Sequence, residues 1–131
     1  MKKRVFFAAI VVFVLWSMLG FIIHGLILKS AYASTASLWR PMVEMKMGLM
    51  YVTIFSSAMA FSAIYGYLVA KKSSMAGLTY GLLYGIAVGV GMGYGSYSVM
   101  PIPYSMALTW LLGTVLEGVL GGLLLGWIIK N

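Results

Sequence analysis

The sequence predicts an all-α membrane protein in which four transmembrane helices form an antiparallel bundle with both termini in the cytoplasm. Three observations support this prediction. The chain is 63% hydrophobic and only 8% charged, it contains four long apolar runs, and its basic residues flank those runs. Soluble domains carry about a quarter charged residues, so this chain could not cover its own surface in water. Its 131 residues leave room for a single domain.

Each apolar run is long enough to cross a membrane, since about 20 residues span the roughly 30 Å of hydrocarbon in a bilayer. The first run is also longer than the about 7–15 apolar residues of a secretory signal, so we interpret it as a membrane helix. Pro41 and Glu44 suit the first turn of the second helix, which would then begin ahead of its apolar run. The approximate spans are residues 5–28, 47–70, 75–99 and 104–129.

The basic residues predict the orientation of these helices, because cytoplasmic loops carry an excess of Lys and Arg. One side of the predicted bundle holds six basic residues and the other holds three, which places both termini in the cytoplasm. We expect the membrane to be the bacterial inner membrane. The charges do not form a patch, so we expect the partner to be the lipid bilayer and not nucleic acid. The six are Lys2, Lys3, Arg4, Lys71, Lys72 and Lys130, and the three are Lys29, Arg40 and Lys46.

Glycine recurs at intervals of four residues in the third and fourth runs. An unpaired backbone group is costly in lipid, so these segments stay helical despite their glycines. Glycines at this spacing form a groove that lets another helix approach closely. We expect the third and fourth helices to pack together there; alternatively, one groove docks a second copy or another membrane protein. Gly113 and Gly121 give the fourth helix a second small face. The groove glycines are Gly77, Gly81, Gly85, Gly89 and Gly93, and then Gly118, Gly122 and Gly126.

Glu117 is the residue that least suits a hydrocarbon environment. It lies near the middle of the fourth run, where a carboxylate should face the interior, be paired or be protonated. No Lys or Arg lies at a matching depth, so we expect a neutral acid bonded to a hydroxyl group. Two roles stay open: a structural acid that ties helices together, or a proton- or cation-coupling group lined by Tyr84 and Trp110. The hydroxyl groups at similar depth belong to Ser17, Thr53, Ser56, Ser57 and Tyr84.

The remaining candidate ligands are one histidine and a group of methionines. His24 lies about one turn from the end of the first run. By the helical rise it lies ~10 Å or more from Glu117 along the bundle axis, so we expect no direct pairing. We interpret His24 as an interfacial residue, with haem ligation as the alternative. Thioethers suit Cu(I), although a packing role for the methionines is favoured. They are Met42, Met45, Met47 and Met50.

The residue inventory argues against an enzyme. Two acidic residues, one His and no Cys leave little for hydrolytic or thiol chemistry, so we expect no catalytic residue and no cofactor. The leading hypothesis is a packing or accessory subunit, in a homo-oligomer or a larger membrane complex, that docks through its glycine grooves. The alternatives are a small proton- or cation-coupled transporter that uses Glu117, and a haem- or copper-binding protein. A hydrated cavity that reaches Glu117 would favour transport, whereas a dry and tightly packed Glu117 would favour the accessory subunit.

Several short motifs are distributed along the chain. They are LGFIIHG (19–25), LWRP (38–41), Glu44, a glycine-rich second half and the proline break PIP (101–103). In these motifs the chain resembles a class of uncharacterised small bacterial four-helix membrane proteins, which implies a fold but no activity. It is also similar to small multidrug-resistance transporters in length, in its four helices and in having one membrane-embedded Glu. Their Glu lies in the first helix and Glu117 lies in the fourth, so their mechanism is not carried over.

Overall fold

The four apolar runs are four long helices in the structure, a computed structural model that describes residues 1–131. The chain contains no β-strand, and the prediction of an all-helical protein with four helices of membrane-spanning length is confirmed. Each helix is at least 22 residues long and has a mean hydropathy of at least 1.5 over its most apolar window, which suits a hydrocarbon crossing. We call them spans 1 to 4: Lys2–Ile27, Met47–Leu68, Ser74–Val99 and Tyr104–Ile128. The predicted boundaries lie within three residues of these bounds.

The start of span 2 differs from the prediction. Met42–Glu44 forms a separate 3-10 turn, and Lys46, with φ −90° and ψ 68°, interrupts the helical backbone just before Met47. Pro41 and Glu44 therefore do not belong to the first turn of this helix. The segment precedes the apolar run, and outside the hydrocarbon water can satisfy backbone groups that lipid would force into a helix.

The turns that follow spans 2 and 3 reflect local chemistry. Ser73 is extended, and its Oγ accepts a hydrogen bond of 3.0 Å from the backbone N–H of Ala76. A serine in this position satisfies one of the free N–H groups in the first turn of span 3. Pro101 and Pro103 separate spans 3 and 4, because proline lacks the N–H that a continuing helix needs.

Two spans contain a π-helical segment. Phe21–Ile27 forms the last turns of span 1, and Gly91–Gly95 interrupts span 3 near its end. A π-helical turn holds more residues than an α-helical turn, so it changes the direction in which the following side chains point. Such segments occur often at functional sites. Neither segment was predicted, since hydrophobic periodicity does not distinguish a π-helical turn from an α-helical one.

Spans 3 and 4 pack backbone against backbone from Gly77 to Gly93 in span 3 and from Ala107 to Gly126 in span 4. A Cβ atom at Gly77 would collide with the carbonyl group of Gly122, and one at Gly93 would lie 2.5 Å from the carbonyl oxygen of Ala107. Residue numbers therefore rise along span 3 as they fall along span 4. We call this contact the glycine seam. It contains Gly77, Gly81, Gly85, Gly89, Gly93, Gly118, Gly122 and Gly126.

Both chain termini lie at one end of the molecule, where Arg4 Nη1 donates a hydrogen bond of 3.3 Å to the carbonyl oxygen of Lys130. We call this the terminal end, and we call the opposite end, which holds residues 28–46 and 100–103, the loop end. Each end has its own buried cluster. The terminal core contains Val5, Ala8, Val12, Trp16, Ala58, Phe61, Tyr65, Leu125 and Ile129. The loop core contains Ile23, Leu28, Ile102, Met106, Ala107 and Trp110.

The outward faces of the spans are apolar. Leu68, Val99 and Leu112 are 76%, 83% and 59% exposed, so large hydrocarbon side chains cover surfaces that a soluble protein would cover with charge. Contiguous exposed apolar surface of this kind is rare on soluble monomers. Together with the four apolar helices, it indicates a membrane protein.

Candidate functional site

The backbone around Glu117 is fixed by the indole of Trp16. Trp16 Nε1 donates a hydrogen bond of 2.8 Å to the carbonyl oxygen of Glu117. The indole fits beside Gly121, where a Cβ atom would lie only 3.1 Å from Nε1. Trp16 also stacks on Tyr84, with ring centroids 6.3 Å apart and planes inclined by 15°. The second small face of span 4 therefore holds span 1 next to the acid.

Glu117 lines a partly enclosed cavity of about 80 Å³. Since a water molecule occupies about 30 Å³ of the liquid, this volume suits two or three waters or one small ion. The lining combines an acidic residue, a histidine and a threonine with apolar residues. Its residues are Ile23, His24, Met92, Trp110, Gly113, Thr114 and Glu117.

Both π-helical segments contribute to this cavity. Ile23 and His24 belong to the segment in span 1, and Met92 belongs to the segment in span 3. Span 4 contributes its four lining residues from one face of a regular α-helix. The irregular turns of the fold therefore meet at the intramembrane acid.

The contact between Ile23 and Gly113 sets the register of spans 1 and 4 beside the cavity. A Cβ atom at Gly113 would lie 2.8 Å from Ile23 Cδ1, so residue 113 of span 4 is level with residue 23 of span 1. Glu117 follows Gly113 by about one helical turn, which is roughly 6 Å along the axis. His24 is one residue further toward the loop end than Ile23, so its separation from Glu117 along the axis is larger than this single turn. The register depends on which glycine of span 4 packs against Ile23, and the lengths of the apolar runs do not predict this contact. No hydrogen bond joins His24 to the Glu117 carboxyl group.

A chain of hydrogen bonds holds His24 at the loop end. Trp110 Nε1 donates to the Tyr32 hydroxyl group at 2.8 Å, and this hydroxyl lies 2.6 Å from His24 Nδ1. Tyr32 belongs to a short helix, Lys29–Ser34, which we call the loop helix. Burial raises the pKa of Tyr32, and the hydrogen bond from Trp110 acts in the opposite direction. The hydroxyl group is therefore neutral at physiological pH and keeps a proton to donate.

Trp39 covers this chain of hydrogen bonds. Its ring packs edge-on against Tyr32 and Trp110, with centroid distances of 5.4 and 6.1 Å. Its Nε1 donates to Thr35 Oγ1 at 2.8 Å, so the indole has its own polar partner. A Trp or Tyr with one apolar and one polar end suits the membrane–water interface.

Two of the residues predicted to accompany Glu117 lie elsewhere. Tyr84 packs in the terminal core, with its ring 4.7 Å from that of Phe61, and does not line the cavity. Ser57 is half-buried on span 2 and is not among the lining residues. Trp110, by contrast, lines the cavity together with Glu117.

The expected hydroxyl partner of the Glu117 carboxyl group is not observed. Thr53 Oγ1 donates to the carbonyl oxygen of Leu49 at 2.9 Å, within its own helix. Ser17 Oγ is buried and has no hydrogen-bond partner. A helical hydroxyl group can be satisfied by the carbonyl group one turn earlier, so similar depth alone does not bring it to another helix.

One signal in the sequence identifies part of the lining. Trp110, Gly113, Thr114 and Glu117 follow the spacing of a single helical face. Thr114 Oγ1 donates to the Trp110 carbonyl oxygen at 2.8 Å. The place of Met92 in the lining and the contact of Tyr32 with His24 depend on the tertiary structure, and nothing in the local sequence predicts them.

The methionine group does not line the cavity. Met42, Met45, Met47 and Met50 are 83%, 42%, 50% and 51% exposed, so each keeps much of its side chain at the protein surface. No cluster of three or more His, Cys, Asp or Glu side chains is placed to hold a metal ion. A copper or haem site at the methionines or at His24 stays a prediction from the sequence.

No protein-family model, curated protein or solved structure matches this chain. The chemistry of the cavity at Glu117 is therefore the basis for the function proposed below.

Proposed function

We propose that this chain is an inner-membrane protein that binds and transfers a proton or a small cation at Glu117. In this proposal the four spans form an antiparallel bundle with both termini in the cytoplasm. One observation carries the functional part: Glu117 and His24 line the same cavity of about 80 Å³. An ionisable group that faces a cavity inside a membrane protein is typical of ion and proton pathways.

The chemistry of the lining favours a positively charged ligand. Glu117 is the only lining residue that can carry a negative charge, and neither Lys nor Arg lines the cavity. The volume is well below the roughly 300–1,000 Å³ of sites for drug-sized molecules. The proposed ligand is therefore a proton, or a monovalent cation with one or two waters.

The packing on either side of Glu117 supports access from the loop end. His24 is exposed, and it contacts the loop helix through Tyr32. Toward the terminal end, Phe61 and Tyr65 are fully buried, and the Tyr80 hydroxyl group donates to the Phe61 carbonyl oxygen at 2.8 Å. The six basic residues at the terminal end favour a cytoplasmic position for it. The site is then loaded from outside, and release to the cytoplasm requires the terminal core to move.

The glycine seam supports this function over an accessory subunit that docks through glycine grooves. Each of the eight predicted groove glycines already meets the opposite span of the same chain. A second copy or a larger complex would have to bind elsewhere on the apolar surface. The seam therefore stabilises the monomer and supplies a rigid wall behind Glu117.

The proposal is tested by flux measurements in vesicles. Purified protein is reconstituted with a pH-sensitive dye inside, and a membrane potential is imposed with potassium and valinomycin. We expect proton entry in the wild type and, for Glu117→Gln, entry at the level of protein-free vesicles, since an amide cannot take up the proton. Vesicles without valinomycin, loaded with a sodium- or potassium-sensitive dye and given a gradient of that ion, test the cation form of the proposal.

Glu44→Gln is the matched control, because Glu44 is the other acid of the chain and lies in a 3-10 turn outside the spans. We expect this variant to retain the flux of the wild type. A Glu117→Gln variant with undiminished flux, or a wild type with no flux of protons, sodium or potassium, would contradict the proposal.

A further inference from the structure

The hydrogen-bond chain at the loop end limits how His24 can be protonated. An indole N–H only donates, so the Tyr32 oxygen accepts from Trp110. Tyr32 has a single hydroxyl proton, and its oxygen lies 2.6 Å from His24 Nδ1. The oxygen accepts from Trp110, so two arrangements fit this distance: the Tyr32 proton is donated to Nδ1, or Nδ1–H donates to a second lone pair of the Tyr32 oxygen. A neutral imidazole has one N–H group, so the first arrangement, on which the inference is built, places the proton of His24 on Nε2.

We propose that His24 is the second functional residue of the cavity: a hydrogen-bond donor, through Nε2–H, to the ionised Glu117 carboxyl group. This inference rests on the proposed function and extends it. Trp110, Tyr32 and His24 then form a chain in which each group donates to the next one, toward Glu117. Tyr32 and Trp110 act as positioning residues, since they hold the imidazole in one tautomer and do not contact the acid.

The surroundings of His24 leave Nε2 free for this role. Nδ1 is occupied by Tyr32, and the cavity that His24 lines contains no other charged group than Glu117. Span 3 contributes Met92, which is uncharged. The volume is large enough for two or three waters, so one water can bridge Nε2–H and the carboxyl group where they do not touch.

The arrangement has a consequence for ligand binding. A proton or cation that neutralises Glu117 competes with the Nε2–H donor for the same carboxylate oxygens. Loading the site therefore releases His24 from Glu117, whereas unloading restores the complete chain of donors. Tyr32 therefore links the loop helix to whether Glu117 is ionised or has bound a proton or cation.

The inference is tested by NMR of protein labelled with ¹⁵N-histidine, because the chain contains one His and gives the signals of a single imidazole. In lipid nanodiscs at a pH where the ring is neutral, we expect a protonated Nε2 and an unprotonated, hydrogen-bonded Nδ1. We expect Tyr32→Phe to shift the Nδ1 signal toward that of a free acceptor and to allow both tautomers. A protonated Nδ1 in the wild type would overturn the inference.

Tyr67→Phe is the matched control, since Tyr67 is 53% exposed and takes part in no side-chain hydrogen bond. We expect it to leave the histidine spectrum unchanged. The contact across the cavity is tested by Glu117→Gln, which should shift the Nε2 signal. An unchanged Nε2 signal in that variant, or equal spectra for Tyr32→Phe and the wild type, would overturn the inference.

These results are independent of the flux measurements. The expected tautomer and shifts together with absent flux would refute the proposed function and leave the donor role of His24 intact. Glu117-dependent flux together with a protonated Nδ1 would refute the role of His24 alone.

Discussion

Span 4 makes contacts of opposite kinds on its two sides. Toward span 3, glycines bring the two backbones together and exclude side chains from the contact. Toward span 1, the indole of Trp16 holds the helices together beside a cavity that contains Glu117. One side is packed as closely as two helices allow, and the other leaves space next to an acid. In the proposed function, the first contact provides rigidity and the second provides the ion site.

The solvent explains why the two sides contribute differently to stability. Lipid is as apolar as the helix surfaces, so helices associate through close packing and weak Cα–H···O contacts and not through a hydrophobic effect. The glycine seam maximises such contacts. A cavity forfeits them, because its walls lose dispersion partners. A cavity lined by Glu117 and His24 therefore lowers stability, which is consistent with a functional reason for its presence.

The largest expected effect breaks the glycine seam. In Gly81→Leu the new side chain would meet the carbonyl group of Gly118, so the spans must separate. We expect the free energy of unfolding to fall by about 3 kcal/mol or more, measured by denaturant titration in detergent micelles. Gly91→Leu is the control, since no atom lies within 4 Å of a Cβ at Gly91. Similar stabilities of the two variants would show that the seam is not the rigid side.

A smaller effect is expected where span 1 is attached. Trp16→Phe removes the hydrogen bond from Nε1 to the Glu117 carbonyl oxygen and should cost about 1 kcal/mol, measured in the same titration. Trp127→Phe provides the comparison, because it makes the same substitution at a tryptophan that is 59% exposed. If the free energy of unfolding falls by the same small amount in both variants, then Trp16 does not hold span 1 at the cavity.

The smallest effect concerns Tyr32 and depends on pH. Burial raises the pKa of Tyr32 in the folded state above its usual value of about 10. The neutral form is thus favoured by folding, and the contribution of Tyr32 to stability is complete below pH ~10 and is lost as pH rises through the higher folded value. We expect the stability of Tyr32→Phe to decline less steeply than that of the wild type between pH ~9 and ~11. Circular dichroism measures this decline. Tyr67→Phe should keep the steeper decline of the wild type.

The four long helices could be predicted because lipid imposes a simple rule. A run of apolar residues such as Val5–Leu28 must satisfy its own backbone, so it is helical regardless of propensity. The spacing of Gly77 and Gly81 also predicted a structural feature, since small residues on one face of a membrane helix allow another helix to approach closely. Glu117 was conspicuous for the opposite reason: its charge is costly in this solvent.

The geometry of the candidate site could not be predicted in the same way. His24 shares a cavity with Glu117 because Ile23 packs on Gly113, and that register is a property of two surfaces and not of either run. Tyr32 reaches His24 from a segment outside the spans, where no periodic pattern constrains it. The π-helical segment Phe21–Ile27 has no distinguishing composition. Tyr84 and Ser57 were assigned by depth alone, and depth does not specify direction.

Infrared spectroscopy of the Glu117 carboxyl group tests most directly whether protons reach this acid inside the membrane protein. The protein is studied in nanodiscs, and the C=O stretching band of the protonated acid is identified by its loss in Glu117→Gln. We expect this band to appear and disappear reversibly as pH is changed and to shift within seconds of transfer to D₂O. A band that stays constant with pH and does not shift over hours would show a dry, permanently protonated acid and would contradict a functional cavity.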